Sequence, residues 1–263
     1  MVAASSYASD AAIPRSETDR LRTWNLIVGL IHLIQAGIMF ALSNDFSLPV
    51  NLAFLAGPPG TDPSIVHGFD LPLGPLVAVF LLLAAVDHLL CASPVLNGAY
   101  NRLLARKRND IRWIEYSVSA SLMIVLIAMI TGVNDLGALI AIAGVNACML
   151  FFGLMQEHVS SPGDAQVNWM PFIYGSFAGA VPWIVITLQI LTAIDQGSSV
   201  PGFVYGIMIS LFILFNSFAI NMVLQYKQVG KWRDYLFGEK VYLGLSLAAK
   251  TALAWQVFAN VLV

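Results

Sequence analysis

Seven stretches of this chain, roughly 24–43, 73–95, 111–131, 136–155, 169–194, 203–225 and 241–261, are each apolar over the ~20 residues a helix needs to cross a bilayer. No other feature constrains the fold as much. A backbone in lipid must satisfy its own hydrogen bonds, and a run of that length does so as a helix. The runs use most of the 263 residues, so no separate soluble domain fits in what remains. The expected fold is an all-α membrane protein, one domain over 1–263 built as a bundle of seven transmembrane helices. Composition agrees: 58% of residues are hydrophobic and 11% charged, with a mean hydropathy of +0.77. Residues 1–22 read as a polar tail, too acidic at its start for a cleaved signal peptide.

Twelve of the 13 basic residues fall on one side of this arrangement. Arg15, Arg20 and Arg22 precede the first span. Arg102, Arg106, Lys107, Arg108 and Arg112 join the second to the third, and Lys227, Lys231, Arg233 and Lys240 join the sixth to the seventh. The opposite connections, including the long one over 44–72, hold no Lys or Arg. Cytoplasmic loops retain basic residues, so the N-terminus is expected inside and the C-terminus outside. The long outer connection carries β-prone pieces such as LPVNLAF and a GPPG turn, which together suggest a hairpin cap.

A net charge of -2 gives no sign of nucleic-acid binding, and no Cys or His spacing suits a metal. Cys91 and Cys148 fall inside spans and read as buried free thiols.

The thirteenth basic residue is Lys250, in LSLAAKTALAWQ. It lies roughly 14 Å into the last span at 1.5 Å per residue, where a charge costs at least about 2.5–3.5 kcal/mol. It needs a partner, and Glu115 in RWIEYSVSASLMI, one turn inside the third span, is the natural one. Ser119 and Ser246 lie one turn away from each and can bracket the pair. The residues alone leave two readings: a buried ion pair that fixes helix packing, or a desolvated lysine that condenses with a carbonyl, with Glu115 balancing the charge.

His32 and His88, on the first two spans, are either satisfied core residues or a hydrogen-bonded proton store near Glu115. Asp87 is adjacent to His88, so the two point ~100° apart and are not expected to face one site. Asp87 is either a second carboxylate or a solvated structural group. Aromatic residues in the spans mostly pack a bundle, but Phe212, Phe215 and Trp255 are placed to wall an elongated apolar slot beside the lysine.

These features resemble the heliorhodopsin family of retinal proteins, in microbial-rhodopsin-like folds of inverted orientation. The resemblance rests on NDFSLPV and GPPGT in the outer connection, RWIEYSVSASLMIVLIA in the third span and GVNACM in the fourth. VPGFVYGIMISLFILFNSFA in the sixth and LSLAAKTALAWQ in the seventh complete it. It implies all-trans retinal bound covalently to Lys250 as a protonated Schiff base, with Glu115 as counterion. Ser119 and Ser246 match hydroxyls near the linkage, and His32 and His88 match proton-accepting candidates. Met123, Asn146, Met149, Trp183, Phe212, Phe215 and Trp255 match pocket positions. A homodimer in the cell membrane, a β-hairpin in the outer connection and a cytoplasmic signalling partner are also implied.

The expected function is a light-sensing photoreceptor that isomerises retinal from all-trans to 13-cis and moves a proton internally without net pumping. The rival is a light-driven pump or a light-gated channel. Pumps of this kind place a proton donor eleven residues after the counterion, where this chain has Leu126, and a leucine donates no proton. An inert receptor or transporter with a structural Lys and Glu pair would be colourless. An enzyme using Lys250 is disfavoured, because no solvent-facing acid and base accompany it.

Overall fold

The computed structural model describes residues 13–262. Helix α1 (Arg15–Leu42) leads into strands β1 (Ser47–Leu55) and β2 (Pro63–Pro72), then α2 (Leu73–Ala92) and the short α3 (Asn97–Ala105). Helices α4 (Asp110–Ile130), α5 (Leu136–Val159), α6 (Met170–Asp195), α7 (Gly202–Tyr226) and α8 (Tyr235–Val257) follow, and a last π-helical turn extends α8 to Leu262. Seven of these helices, all but α3, are long and apolar enough to cross a membrane, which makes this a multi-pass membrane protein. Most flanks of the bundle are correspondingly apolar: Phe40 and Phe177 are 67% and 73% exposed, as side chains meeting lipid tails rather than water are.

Helix α1 begins nine residues before its apolar run, so Arg15–Arg22 is helix and not the expected polar tail; residues 1–12 of that tail lie outside the described ones. Two anchors hold the extra turns. Lys240 donates to Glu17 at 2.6 Å, and Arg22 Nε donates to the carbonyl of Ala92 at 2.8 Å. Leu21 is fully buried against Cys91, Tyr100 and Leu104, so burial as well as charge pins this segment.

The hairpin forms where the sequence suggests. β1 and β2 pair antiparallel, with Val50 opposite Phe69 and a bulge between Val50 and Asn51. Gly60, at φ 100°, supplies the left-handed residue its turn needs. The bulge frees the Asn51 amide to donate to the carbonyl of Asn134 at 2.8 Å, tying the hairpin to the link between α4 and α5.

Helix ends carry their own signals. Asn109, Asp135 and Asp234 cap α4, α5 and α8 by accepting from Arg112 N, Ala138 N and Leu236 N. Helix α3 has no counterpart in the sequence reading. Nine residues long, it shows only Tyr100 and Leu104, one turn apart, to the core, too weak a periodicity to announce itself.

The interior divides in two. Toward the hairpin end, a continuous apolar cluster runs from Met39 and Val77 through Met123–Met129 to Ile186, Ile207 and Leu253. Toward the end carrying the basic loops, buried polar residues such as Asn25, His88, Arg112, Glu157, Gln225 and Glu239 are interleaved with aromatic rings. Lys250 sits at the border.

Candidate functional site

Lys250 is 3% exposed. Its Nζ donates to Glu115 Oε1 at 3.0 Å, to Oε2 at 3.2 Å and to Ser246 Oγ at 3.3 Å. The distances follow from helix geometry: Lys250 and Ser246 are one turn apart on α8, and side chains lean toward the helix N-terminus, which brings the amine level with Glu115 near the start of α4. The amine also lies 4.9 Å from the centroid of the Tyr116 ring, within cation–π range. Ser119 is fully buried, and its Oγ has no hydrogen-bond partner among the described residues. Ser246 therefore touches the amine, while Ser119 lines the same cavity as Lys250 with unused hydrogen-bonding capacity.

Beside the amine opens a cavity, about 880 Å³ of empty space with its open mouth included. Lys250, Ser246 and Ala249 form one end. Met123, Met149, Gly153, Gly175 and Phe215 line its length. Glycine is required on its wall at Gly153, where a Cβ would overlap the Trp113 ring, and behind it at Gly179, where one would meet the sulfur of the lining residue Met149. Ser176 on α6 and Ala219 on α7 also line the cavity and are exposed, so the space opens sideways between these two helices.

Met123, Met149 and Phe215 thus border the cavity, and four other residues expected around it do not. Trp183 stands a layer behind, edge-on to Phe215 and Phe212 at 5.7 and 5.2 Å. Phe212 is 47% exposed and turns outward. Asn146 is buried but donates to Ser121 Oγ at 3.0 Å. Trp255 is 38% exposed and packs on Phe258; five residues after Lys250, it points ~140° away around α8. The slot expected between Phe212, Phe215 and Trp255 is instead walled by residues of α4, α5, α6, α7 and α8, with Phe215 alone of those three among them.

The histidines meet. His32 and His88 stack with ring centroids 5.8 Å apart and planes 6° from parallel. His88 Nδ1 lies 2.9 Å from the amide oxygen of Asn25, and Asn25 Nδ2 donates to the hydroxyl of Tyr100 at 3.3 Å. Burial pushes the Tyr100 phenol well above its ordinary range, so the α3 end of this chain of contacts stays neutral. Asp87 does share a space with His88, against expectation: both border one small polar chamber, with His88 Nδ1 4.0 Å from Asp87 Oδ2. A separation of ~100° in direction does not keep two side chains apart when the chamber lies in the angle between them.

Sequence reasoning missed the strongest charge cluster. Arg112 forms ion pairs with both Glu157 and Glu239. Asn109 completes it, donating its side-chain amide to Glu239 and its backbone N–H to Glu157, both at 2.8 Å. The Arg112 guanidinium lies 3.9 Å from the Tyr242 ring centroid. Each of the three charges lies about a turn inside a helix end, where a sequence reader assigns it to the headgroup layer; the available signal was one Arg and two Glu just inside apolar runs.

A chain trace over the same bundle is found elsewhere. The crystal structure of thermophilic rhodopsin from Rubrobacter xylanophilus superposes with a TM-score of 0.62 at 13% identity, covering 91% of this chain and 95% of that one, a likeness of fold. No curated protein matches the sequence. The family model described as Heliorhodopsin matches residues 21–262, nearly the whole bundle with its lysine, carboxylate and hairpin. The chain belongs to the heliorhodopsin family of retinal proteins.

Proposed function

We propose that this protein is a light sensor whose chromophore, all-trans retinal, is attached to Lys250 as a protonated Schiff base with Glu115 as counterion. The observation that carries this reading is the Lys250 amine, 3.0 Å from a carboxylate, at the end of an apolar cavity. The residues fit the group: a polyene suits methionine, glycine and phenylalanine walls, and a cationic linkage suits the single acid at its end. Lys250 would hold retinal through its amine, and the bound group would supply light absorption and all-trans to 13-cis isomerisation.

The protein's share is to hold, orient and exchange. Glu115 balances the charge on the lysine nitrogen and is the first group within reach of its proton. Ser246 offers its hydroxyl to that nitrogen, and the unpartnered Ser119 offers another in the same cavity. His32 and His88, stacked within the same polar half, are the candidate proton-accepting groups. Met123, Met149 and Phe215 shape the cavity, while Trp183, Phe212, Asn146 and Trp255 act from behind it. The proton moves within the protein and returns. What supports the absence of net pumping is the apolar cluster on the hairpin side of Lys250, where Leu126, Ile127 and Leu253 are buried and, among the described residues, no Asp, Glu, His, Lys or Arg is buried with them. A pump needs a relay on both sides, and the buried charges among the described residues lie on one.

The orientation that goes with this reading has the N-terminus in the cytoplasm and the C-terminus outside, from the basic residues gathered at one end. A homodimer and a cytoplasmic signalling partner complete it.

The test is direct. Adding all-trans retinal to the membrane-embedded protein should generate a visible absorption band that Lys250→Ala abolishes. A colourless protein, or colour that survives the substitution, refutes the assignment.

A further inference from the structure

A second, smaller space lies beside the cavity, and Tyr116 and Tyr242 border both. On one side of this tyrosine partition is the Lys250 amine, on the other the Arg112 guanidinium. We infer that this inner chamber is a binding site for an internal water and an exchangeable proton, and that Asp87 is the carboxyl that carries the proton.

Four observations bear on it. First, the walls are polar on every element around them: Asn25 from α1, Asp87 and His88 from α2, Arg112 from α4, Glu239 from α8. Second, a polar atom on that wall, Arg112 Nε, has no partner among the described residues, although Arg112 is 5% exposed. Left dry, it would be a buried donor with no acceptor. A water there accepts from it, and the chamber is small, with room for on the order of one. Third, the Asp87 side chain is 13% exposed and has no hydrogen bond to any described residue. Its nearest ionisable neighbour, His88 at 4.0 Å, already points the same ring nitrogen at Asn25. Fourth, the charge of Arg112 is met by both Glu157 and Glu239, so acids outnumber bases around the chamber. An anion finds no surplus positive charge there, whereas water and a proton do find acceptors.

The charged groups that act on Asp87 are Glu115 and Arg112 on α4 and Lys250 on α8; His88 and Cys91 on its own helix, Tyr100 on α3, Tyr116 on α4, and Glu239 and Tyr242 on α8 border the same chamber, and His32 on α1 reaches it through the His88 ring. A carboxyl held in this setting without a fixed cation exchanges its proton when a nearby charge changes. The exchange is simple: a proton that enters from the medium passes through the chamber's water to the carboxylate of Asp87, forming the acid and leaving the water neutral, and it leaves by the reverse step.

The role in the photocycle rests on the light-sensor reading; the proton site itself does not, so the test begins without retinal. In the apoprotein in lipid, an acid-minus-alkaline infrared difference spectrum should show a carboxylic-acid C=O band that shifts in D₂O and on labelling with ¹³C-aspartate. It should vanish in Asp87→Asn and return, displaced, in Asp87→Glu. A buried carboxylic band that is insensitive to aspartate labelling, or that persists in Asp87→Asn, overturns the inference; the label decides the matter even where the variant fails to fold. With retinal added, the same band should appear in the light-minus-dark spectrum, and His88→Gln should leave it in place. If that difference signal follows His88 and not Asp87, the photocycle role is overturned. If no pigment forms while the apoprotein band behaves as expected, the light-sensor reading fails and the proton site stands.

Discussion

The two ends of this bundle are built on different rules. The hairpin half is packed as an ordinary apolar core, with Phe80, Leu81, Ile124, Leu126, Ile127 and Leu253 at or near zero exposure. The basic-loop half buries an arginine, two glutamates, two histidines and several amides, and holds them by ion pairs and hydrogen bonds rather than by shape. Lipid solvates the outside of both halves alike, so the difference is internal. On the proposed function, the uniformly packed half is the wall that stays shut to ions, while the half that moves charge keeps paired, exchangeable groups, each with a high cost if left alone.

Loss of a charge partner should be the most damaging change. After Lys250→Ala, which should remove colour outright, the largest effect is expected from Arg112→Leu. It strands Glu157 and Glu239 in the interior and should cost about 3–5 kcal/mol, read from unfolding of the apoprotein in detergent. Ile127→Val, on the dry side, should cost only about 0.5–1.5 kcal/mol. Equal losses from the two would break the contrast. An intermediate effect is expected from Gly153→Ala, which forces a methyl group onto the Trp113 ring and should cost about 1–3 kcal/mol, with a displaced absorption band as a second readout. The smallest is Ser119→Ala. Removing a hydroxyl that has no protein partner should change stability by less than about 1 kcal/mol, yet it should still alter how fast the pigment recovers after a flash. On the function itself, illumination of an unbuffered suspension should leave the external pH unchanged; a sustained shift abolished by an uncoupler would mean that the hairpin half conducts.

How much of this the sequence discloses depends on the kind of signal. The spans are legible because an apolar run of bilayer length has few other uses, and Lys250 and Glu115 stand out because lipid makes a lone charge conspicuous. The hairpin is legible from its turn residues and alternating strands. The Arg112 cluster is hidden for the opposite reason: Glu157 and Glu239 lie near helix ends, where a charge is unremarkable, and only folding brings α4, α5 and α8 together around one guanidinium. Asn25 and Tyr100 are hidden because amides and phenols occur everywhere. Trp255 misleads because closeness in sequence to Lys250 is not closeness around a helix.

The lack of a side chain at Gly153 lets the indole of Trp113 lie flush against the backbone of α5. The two helices meet there like a pawl and its notch. Trp113 also faces the cavity and follows directly on Arg112, so an occupant that pushes the indole cannot simply slide α4 along α5. It must carry both helices together or tilt one against the other. Either way, a small shove deep in the membrane is delivered to Asn109, Glu157 and the basic loop beyond them as a change of angle.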